Sequence, residues 1–543
     1  MNKTDPKFED EYDESQAEQE EQAEQEGGLT SRFLMFNVMP SWLVSFIVHV
    51  LLIIILAVAY WKIPVQTTVG LEAGEPSQDI SDFDDELQLD APEASDALES
   101  TETENTAESE LEEIVDSFEV IEDFVDESLS EEFTDAVDVS AIDEQANAAT
   151  GALAGAAAQI SGRSNAQSRM ALVRKGGGNE ASENAVKLAM EWIKKHQLPN
   201  GSWSFDHRVG PNSGERSSPN AGDFNRSPRA ATAMALLVFL GAGQTHIEGD
   251  YKETVENGLA YLLKSGQQTR YGLSFYEDDG GLYNHGLVAI TLCEAYAMTD
   301  DSRLAKPARD VIRYVEYCQD PVGGGWRYDP KKKGDTSAVG WQVMALKSAY
   351  MCGIEVDPET IRKARRFLNF VSYESGSFYG YTHPLGPGQP KRKGLTSVGL
   401  LSQIYLGWTK ENPALGTGVR WLADRGPSVG NWKIGQMSIP QADKDNFKSG
   451  MYYNYYATQV VHQYGGPLWE EWNKEMRDFL IATQVTEGPA KGSWFFQDAD
   501  ELGYIHGGRL YATTLSALTL EVYYRYLPLF NEKKTSEAEF PLK

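Results

Sequence analysis

The side chains able to do chemistry gather in short polar stretches that each open an apolar run. Asp335 and Thr336 precede SAVGWQVMALKSA, and Arg226 and Arg229 precede AATAMALLVFL. Tyr283, Asn284 and His285 open LYNHGLVAITLCEAYAM, and Thr396 stands in GLTSVGLLSQIYLGW. Tyr452, Tyr453, Asn454 and Tyr456 lie in MYYNYYATQ, while His506, Arg509 and Tyr511 come just before ATTLSALTLEV. An imidazole with carboxylates nearby is a candidate base, so His285 is expected to act with Asp278 or Asp279. An aspartate at a helix start is either an acid or an N-cap. Lys332 and Lys333 beside Asp335 favour its charged form, the wrong direction for a general acid, and a cap is the simpler role. Brought together, these residues would rim a cavity whose aromatic walls and few polar groups suit a ligand. The competing expectation is that they are only caps and rim hydrogen bonds.

These stretches need elements to position them. From residue 185 onward a unit repeats: an amphipathic helix, a glycine–aromatic turn, a polar loop, then a more apolar second helix. AVKLAMEWIKKHQ–NGSWSFD–SPRAATAMALLVFLGAG is the first, and WNKEMRDFLIATQ–AKGSWFFQD–GRLYATTLSALTLEVYYRY is the last. The turn aromatics are Trp203, Phe275, Trp326, Phe378, Trp432 and Trp494, about fifty to seventy residues apart. One hairpin cannot bury its apolar face alone, but a row of six can, as a solenoid or as a closed ring. The second helices are apolar all round, as inner helices would be, and the first carry Lys, Arg and Glu, as outer helices would. GGGW at 323–326 lacks the Lys-Ser/Thr of a phosphate cradle, and its glycines serve a turn.

The turns also carry a family resemblance. Gln197 with Gly201-Ser202-Trp203, Gln319 with Gly324-Gly325-Trp326 and Gln484 with Gly492-Ser493-Trp494 resemble the QW repeat of squalene–hopene cyclases and their prenyltransferase relatives. The unit around Trp432 keeps the glycine and aromatic but lacks the glutamine. The resemblance implies an all-α fold, an (α/α)6 toroid of six helical hairpins with its cavity at the N-terminal ends of the inner helices. It also implies a DxDDT acid. The matching stretch is Lys332-Lys333-Gly334-Asp335-Thr336, so the proton donor and its partner are replaced, and Asp335 and Thr336 alone remain as candidate catalytic groups beside His285. The Asp/Cys/His zinc set of the prenyltransferases has no counterpart, nor has the GCGEQ thioester of complement-type toroids. No metal and no cofactor is expected.

Charge and hydropathy divide the rest of the chain. The net charge of −33 is concentrated before the repeats, and residues 63–162 contain no Lys or Arg. The acidic runs and the lack of a basic stripe exclude nucleic acid as a partner. Residues 41–61, SWLVSFIVHVLLIIILAVAYW, carry no Asp, Glu, Lys or Arg and are long enough to cross a bilayer. The expected organisation is an acidic cytoplasmic tail (1–32), a single-pass membrane anchor (33–62), an acidic disordered linker (63–180), a toroid (181–530) and a C-terminal tail (531–543), with the toroid outside the cytoplasm. Within the linker, Ile114, Phe118, Ile121 and Val125 form an apolar stripe, so 109–128 is either a transient helix or a docking element for a protein partner. Cys293, Cys318 and Cys352 have no metal or CxxC spacing and are expected as small core residues.

Three functions remain open. A membrane-anchored, squalene cyclase-like ring that has lost the family chemistry and serves as a binding or scaffold protein is the leading expectation. A divergent enzyme acting on a terpenoid or polyprenyl lipid, with an apolar isoprenoid ligand, is the first alternative. A glycan-processing (α/α)6 enzyme, a glycosidase or a lyase, is the second; a glycosidase would need two carboxylates facing each other across the cavity, and Asp278, Asp279 and Asp335 at the helix mouths make no convincing pair.

Overall fold

The computed structural model describes residues 163 and 165–526, apart from 212, 213, 215, 387 and 498–502. The expected anchor at 41–61, the acidic tail, the stripe at 109–128 and the C-terminal tail lie outside the described residues. Among the described residues, no helix is long and apolar enough to cross a membrane.

Helix α1 (Ala166–Gly176) leads into six helical hairpins. The first pairs α2 (Glu180–Lys195) with α3 (Pro228–Gly241). The second pairs α4 (Lys252–Ser265), through the ribbon β1 (Gln267–Thr269) and β2 (Gly272–Ser274), with α5 (Leu282–Thr299). The third pairs α6 (Ser302–Cys318) with α7 (Thr336–Met351). The fourth pairs α8 (Pro358–Val371), through β3 (Ser372–Tyr373) and β4 (Phe378–Tyr379), with α9 (Lys393–Tyr405). The fifth pairs α10 (Pro413–Arg425) with α11 (Met451–Tyr464). The sixth pairs α12 (Pro467–Thr483) with α13 (Gly503–Leu520), and a short α14 (Val522–Arg525) follows. Both ribbons are antiparallel, in register Gln267↔Ser274 and Ser372↔Tyr379.

The second helices pack side by side in a closed circle: α3 on α5, α5 on α7, then α9, α11 and α13, and α13 back on α3. Their composition explains this placement. In α3 every residue from Ala230 to Gly241 is buried, whereas α8 buries only one stripe that includes Ile361, Ala364, Phe367, Leu368 and Val371.

The Gln–Gly–x–Trp elements are the clamps between units. The amide of Gln197 donates to Gly201 O in its own turn at 3.0 Å and to Thr254 O of α4 at 2.9 Å. Gln319 does the same to Gly324 O and to Thr360 O of α8, at 2.8 and 2.9 Å. Gln484 bonds Gly492 O and Ala185 O of α2, at 2.9 and 2.8 Å, and so ties the sixth unit to the first. The tryptophan N–H returns to its own outer helix: Trp203 to Ile193 O, Trp326 to Val315 O and Trp494 to Leu480 O. Trp432, in the turn without a glutamine, bonds Gln436 O in its own loop instead. Gly324 must be glycine: its φ is +84°, and a Cβ there would come within 2.2 Å of the Lys363 carbonyl oxygen.

The ring is plugged at the C-terminal ends of its inner helices. Fully buried Arg525 pairs with Glu294 at 2.8 Å and donates to Leu237 O, while Arg163 reaches Glu294 at 3.0 Å and Arg525 O. The linker expected over 63–180 therefore ends in structure. Arg163 and α1 dock on the body before residue 181, in a stretch that regains the basic residues 63–162 lacks.

Candidate ligand site at the mouth of the ring

The other end of the circle is open. The first turns of all six inner helices surround a cavity of 370 Å³. Ala230 and Met234 enter from α3, Tyr283 and Asn284 from α5, and Ser337 and Trp341 from α7. Lys393 comes from α9, Tyr452 and Tyr453 from α11, and His506 and Tyr511 from α13. Phe205 and Phe224 close one side from the loop between α2 and α3.

Two polar stations stand on this wall, each backed by a carboxylate. On one, the Tyr283 hydroxyl meets Ser337 Oγ at 2.5 Å, and Ser337 Oγ donates to Asp335 Oδ1 at 2.8 Å. The same Asp335 oxygen accepts the Ala338 N–H at 2.8 Å, so Asp335 is the N-cap of α7 as well as the support of Ser337. On the other, His506 Nδ1 lies 2.7 Å from Asp223 Oδ1, and its ring stacks on Phe224 with centroids 4.1 Å apart. A kink in α13 at Gly508 (φ +56°) presses the chain against Ala221 and Gly222 and brings His506 beside Asp223. The two stations sit on α7 and α13, three helices apart in a six-membered circle and therefore opposite one another.

A third carboxylate works just behind the wall. Glu277 Oε1 accepts from Arg229 N and its Oε2 accepts from Ala230 N and Asn284 Nδ2, at 3.0, 3.2 and 3.1 Å. It thereby caps α3, whose own N-cap Ser227 makes no such bond. Burial pushes the Glu277 carboxyl up to about 7, against the opposing pull of its N–H donors and Arg229.

The sequence-selected residues divide sharply. Tyr283, Asn284, Tyr452, His506 and Tyr511 line the cavity. His285 does not. It is fully buried, Nδ1 accepts from Phe275 N, Nε2 faces Val311 O at 3.1 Å, and burial drops its pKa to about 3. The expected His285 base is thus corrected to a packing histidine, and Asp278 and Asp279 instead pair with Arg226 at 3.8 and 2.6 Å. Arg229 donates to Tyr276 O. Thr336 ties α7 to the loop after β4 through Gly380 O at 2.6 Å. Asn454 bolts the α10–α11 loop through both main-chain groups of Ser428. Tyr456 is buried edge-on to Trp341, Thr396 is buried, and buried Arg509 pairs with Asp445. Sequence reasoning missed Ser337, Trp341, Lys393 and Asp223. Lys393 had a signal: PKRKG is a basic run opening an apolar helix, where the helix dipole favours acids. Cys293 and Cys318 are buried and Cys352 is half-buried. Among the described residues, no cluster of three His, Cys, Asp or Glu could hold a metal.

No family model matches the chain, and no curated protein matches it. Among solved structures it is similar to an inactive variant of the GH76A α-1,6-mannanase of Salegentibacter sp. HEL1_6 in complex with α-1,6-mannotriose. The identity is 12%, the TM-score 0.40, and the match covers 64% of this chain and 99% of that one. It is also similar to a GH76 α-mannanase of Bacteroides thetaiotaomicron, at 12% identity and a TM-score of 0.42, covering 65% of this chain and 98% of that one. The terpenoid cyclase and prenyltransferase membership implied by the turns is therefore corrected, and with it the squalene cyclase-like scaffold: no family model supports it, and these neighbours are mannanases. The physical reason is that the Gln–Gly–x–Trp clamp solves a problem of joining hairpins, so it marks a construction rather than a chemistry. An isoprenoid ligand is set aside as well, because the wall mixes the polar heads of Lys393, His506, Asn284, Ser337 and several tyrosines with its apolar surface, and a hydrocarbon would strip these heads of water without offering any hydrogen bond in return.

Proposed function

We propose that the chain is a glycan-processing protein built on an (α/α)6 toroid, with its carbohydrate site in the mouth cavity. The observation that carries this reading is the pairing of aromatic faces with opposed, carboxylate-backed polar groups around one cavity. A sugar ring has apolar faces and a polar edge. Trp341, Tyr452 and Tyr453 offer surfaces for the first, and Tyr283, Ser337 and Asn284 offer hydrogen bonds for the second. His506, oriented by Asp223, is the group assigned to proton transfer. Asp335 positions Ser337 and Tyr283 and does not itself meet the ligand.

The test uses the full-length protein. Tryptophan fluorescence is titrated with soluble oligosaccharides, and new reducing ends or unsaturated sugar ends are measured in the same samples. Saturable quenching that is weakened tenfold or more by Tyr452→Ala, together with product formation lost in His506→Gln, supports the reading. Absence of both binding and product across neutral and acidic oligosaccharides overturns it.

A further inference from the structure

A hydrogen bond has a direction, and on the α5 side of the cavity the surrounding structure fixes it. Asn284 is 4% exposed, and its Nδ2 donates to Ser227 Oγ at 3.1 Å, to Glu277 Oε2 at 3.1 Å and to Asp279 O at 2.6 Å. All three partners act as acceptors. Asp279 offers a carbonyl oxygen, Glu277 Oε2 also takes the Ala230 N–H, and Ser227 Oγ spends its single hydrogen on the Asp279 carbonyl. Turning the amide over would set its oxygen against three others, so its orientation is locked. Asn284 lines the cavity, and among the described residues no protein group donates to its Oδ1. A buried carbonyl acceptor on a cavity wall is satisfied by a donor on whatever occupies the cavity. The chain leaves room for one. Gly280 lies on the same wall with a φ of +88°, and a Cβ there would come within 2.6 Å of Asn284 Oδ1.

The neighbouring polar groups are directed too. Asp335 Oδ1 takes the Ser337 hydrogen, so the Tyr283 hydroxyl is the donor to Ser337 Oγ, and its own oxygen can then only accept. In neutral His506 the Nδ1 proton faces Asp223, which makes Nε2 the accepting nitrogen. Trp341 and Lys393 supply donor N–H groups elsewhere on the wall. The α5 side is therefore a pair of adjacent acceptors, Tyr283 and Asn284, and the better fixed of the two is the Asn284 amide.

We propose that Asn284 determines the specificity of the mouth cavity, its Oδ1 selecting a sugar by the hydrogen of an unsubstituted hydroxyl. This rests on the carbohydrate reading of the same cavity. A methyl ether, an ester or a sulfate at that ring position brings only acceptors against an acceptor. Rejection is strong because the mismatch leaves a buried polar group unpaired, whereas a site that merely packs against a hydroxyl discriminates weakly.

The experiment uses the full-length protein and the methyl glycosides of glucose, galactose, mannose and xylose, each with its set of monodeoxyfluoro analogues. Fluorine is close to a hydroxyl in size and cannot donate a hydrogen bond. Binding is followed by tryptophan fluorescence, since Trp341 stands in the wall. For a sugar that binds, fluorine at one ring position should weaken binding about tenfold or more. In Asn284→Ala the parent sugar should bind as weakly as that analogue, so the gap closes. Gly280→Ala, which covers Oδ1 while leaving the partners of Nδ2 in place, should close it as well. Thermal midpoints show which variants are folded, and Gly280→Ala serves alone if Asn284→Ala is not. Analogues that all bind within about threefold of their parent sugar, or a gap that persists in a folded variant, overturn the inference while the carbohydrate site stands. Saturable binding of no sugar overturns both.

Discussion

Gln484, just past the end of α12, donates its Nε2 to the carbonyl oxygen of Ala185 in α2 at 2.8 Å, across 299 positions of sequence. The same amide bonds Gly492 O in its own turn. One side chain thus satisfies two buried carbonyls and joins the last unit to the first. Replacing it with alanine leaves both without their donor, at about 2–3 kcal/mol. Urea denaturation of Gln484→Ala should show that loss. A midpoint equal to that of the unaltered protein would mean that packing alone closes the circle.

Asp335 separates capping from acid chemistry. Its Oδ1 holds Ala338 N and Ser337 Oγ, and an asparagine oxygen can accept both bonds. Asp335→Asn should therefore keep stability and ligand affinity near the parent's, whereas Asp335→Ala should lose about 1–2 kcal/mol of stability. Retained fold with abolished product formation in Asp335→Asn would assign the aspartate a direct chemical role instead.

Two histidines of one sequence should behave oppositely in an activity assay. His506→Gln should reduce turnover about a hundredfold or more while leaving ligand affinity within a few-fold. His285→Gln should leave turnover intact, since His285 lies outside the cavity lining and bonds only main-chain groups. Equal losses in the two variants would count against the assignment of His506.

Buried histidines also set the response to acid. Burial takes His285 from an ordinary 6.5 to about 3, and His462 from 6.5 to about 4. Between those values and 6.5 the unfolded chain binds protons that the folded chain refuses. Their contribution is therefore complete above 6.5 and is lost as pH falls toward 4, by up to about 1.4 kcal/mol per pH unit for each histidine. Glu277, raised from 4.5 to about 7, has the opposite sign: between these values the folded state holds the extra proton, so stability declines as pH rises through that window. Denaturation of His285→Gln from pH 6.5 to 4 should show a slope shallower by about one proton than that of the parent. An unchanged slope would show that His285 does not contribute.

Much of the architecture was legible because its signals are local. The glycine–aromatic turns, the one-sided stripe of α8 and the all-round apolarity of α3 follow from the spacing of neighbouring residues. The clamp glutamines were visible as recurring letters, but their partners Thr254, Thr360 and Ala185 were not, since those bonds run to another unit. The family drawn from the same letters proved wrong for a related reason: a motif that solves a joining problem says little about what the cavity does.

By itself the sequence determined six hairpins, which helix of each pair is apolar enough to be enclosed, and which helix starts are polar. Only the tertiary structure decided which of those polar groups share the cavity. Successive helix residues point about 100° apart, so Asn284 reaches the mouth while His285 turns into the packing beneath β2, and Tyr452 lines the wall that Tyr456 supports from behind. Asp223 meets His506 through a kink at Gly508 that depends on contact with a distant loop. Orientation about a helix axis and contacts across hundreds of residues are set by how all six hairpins pack at once.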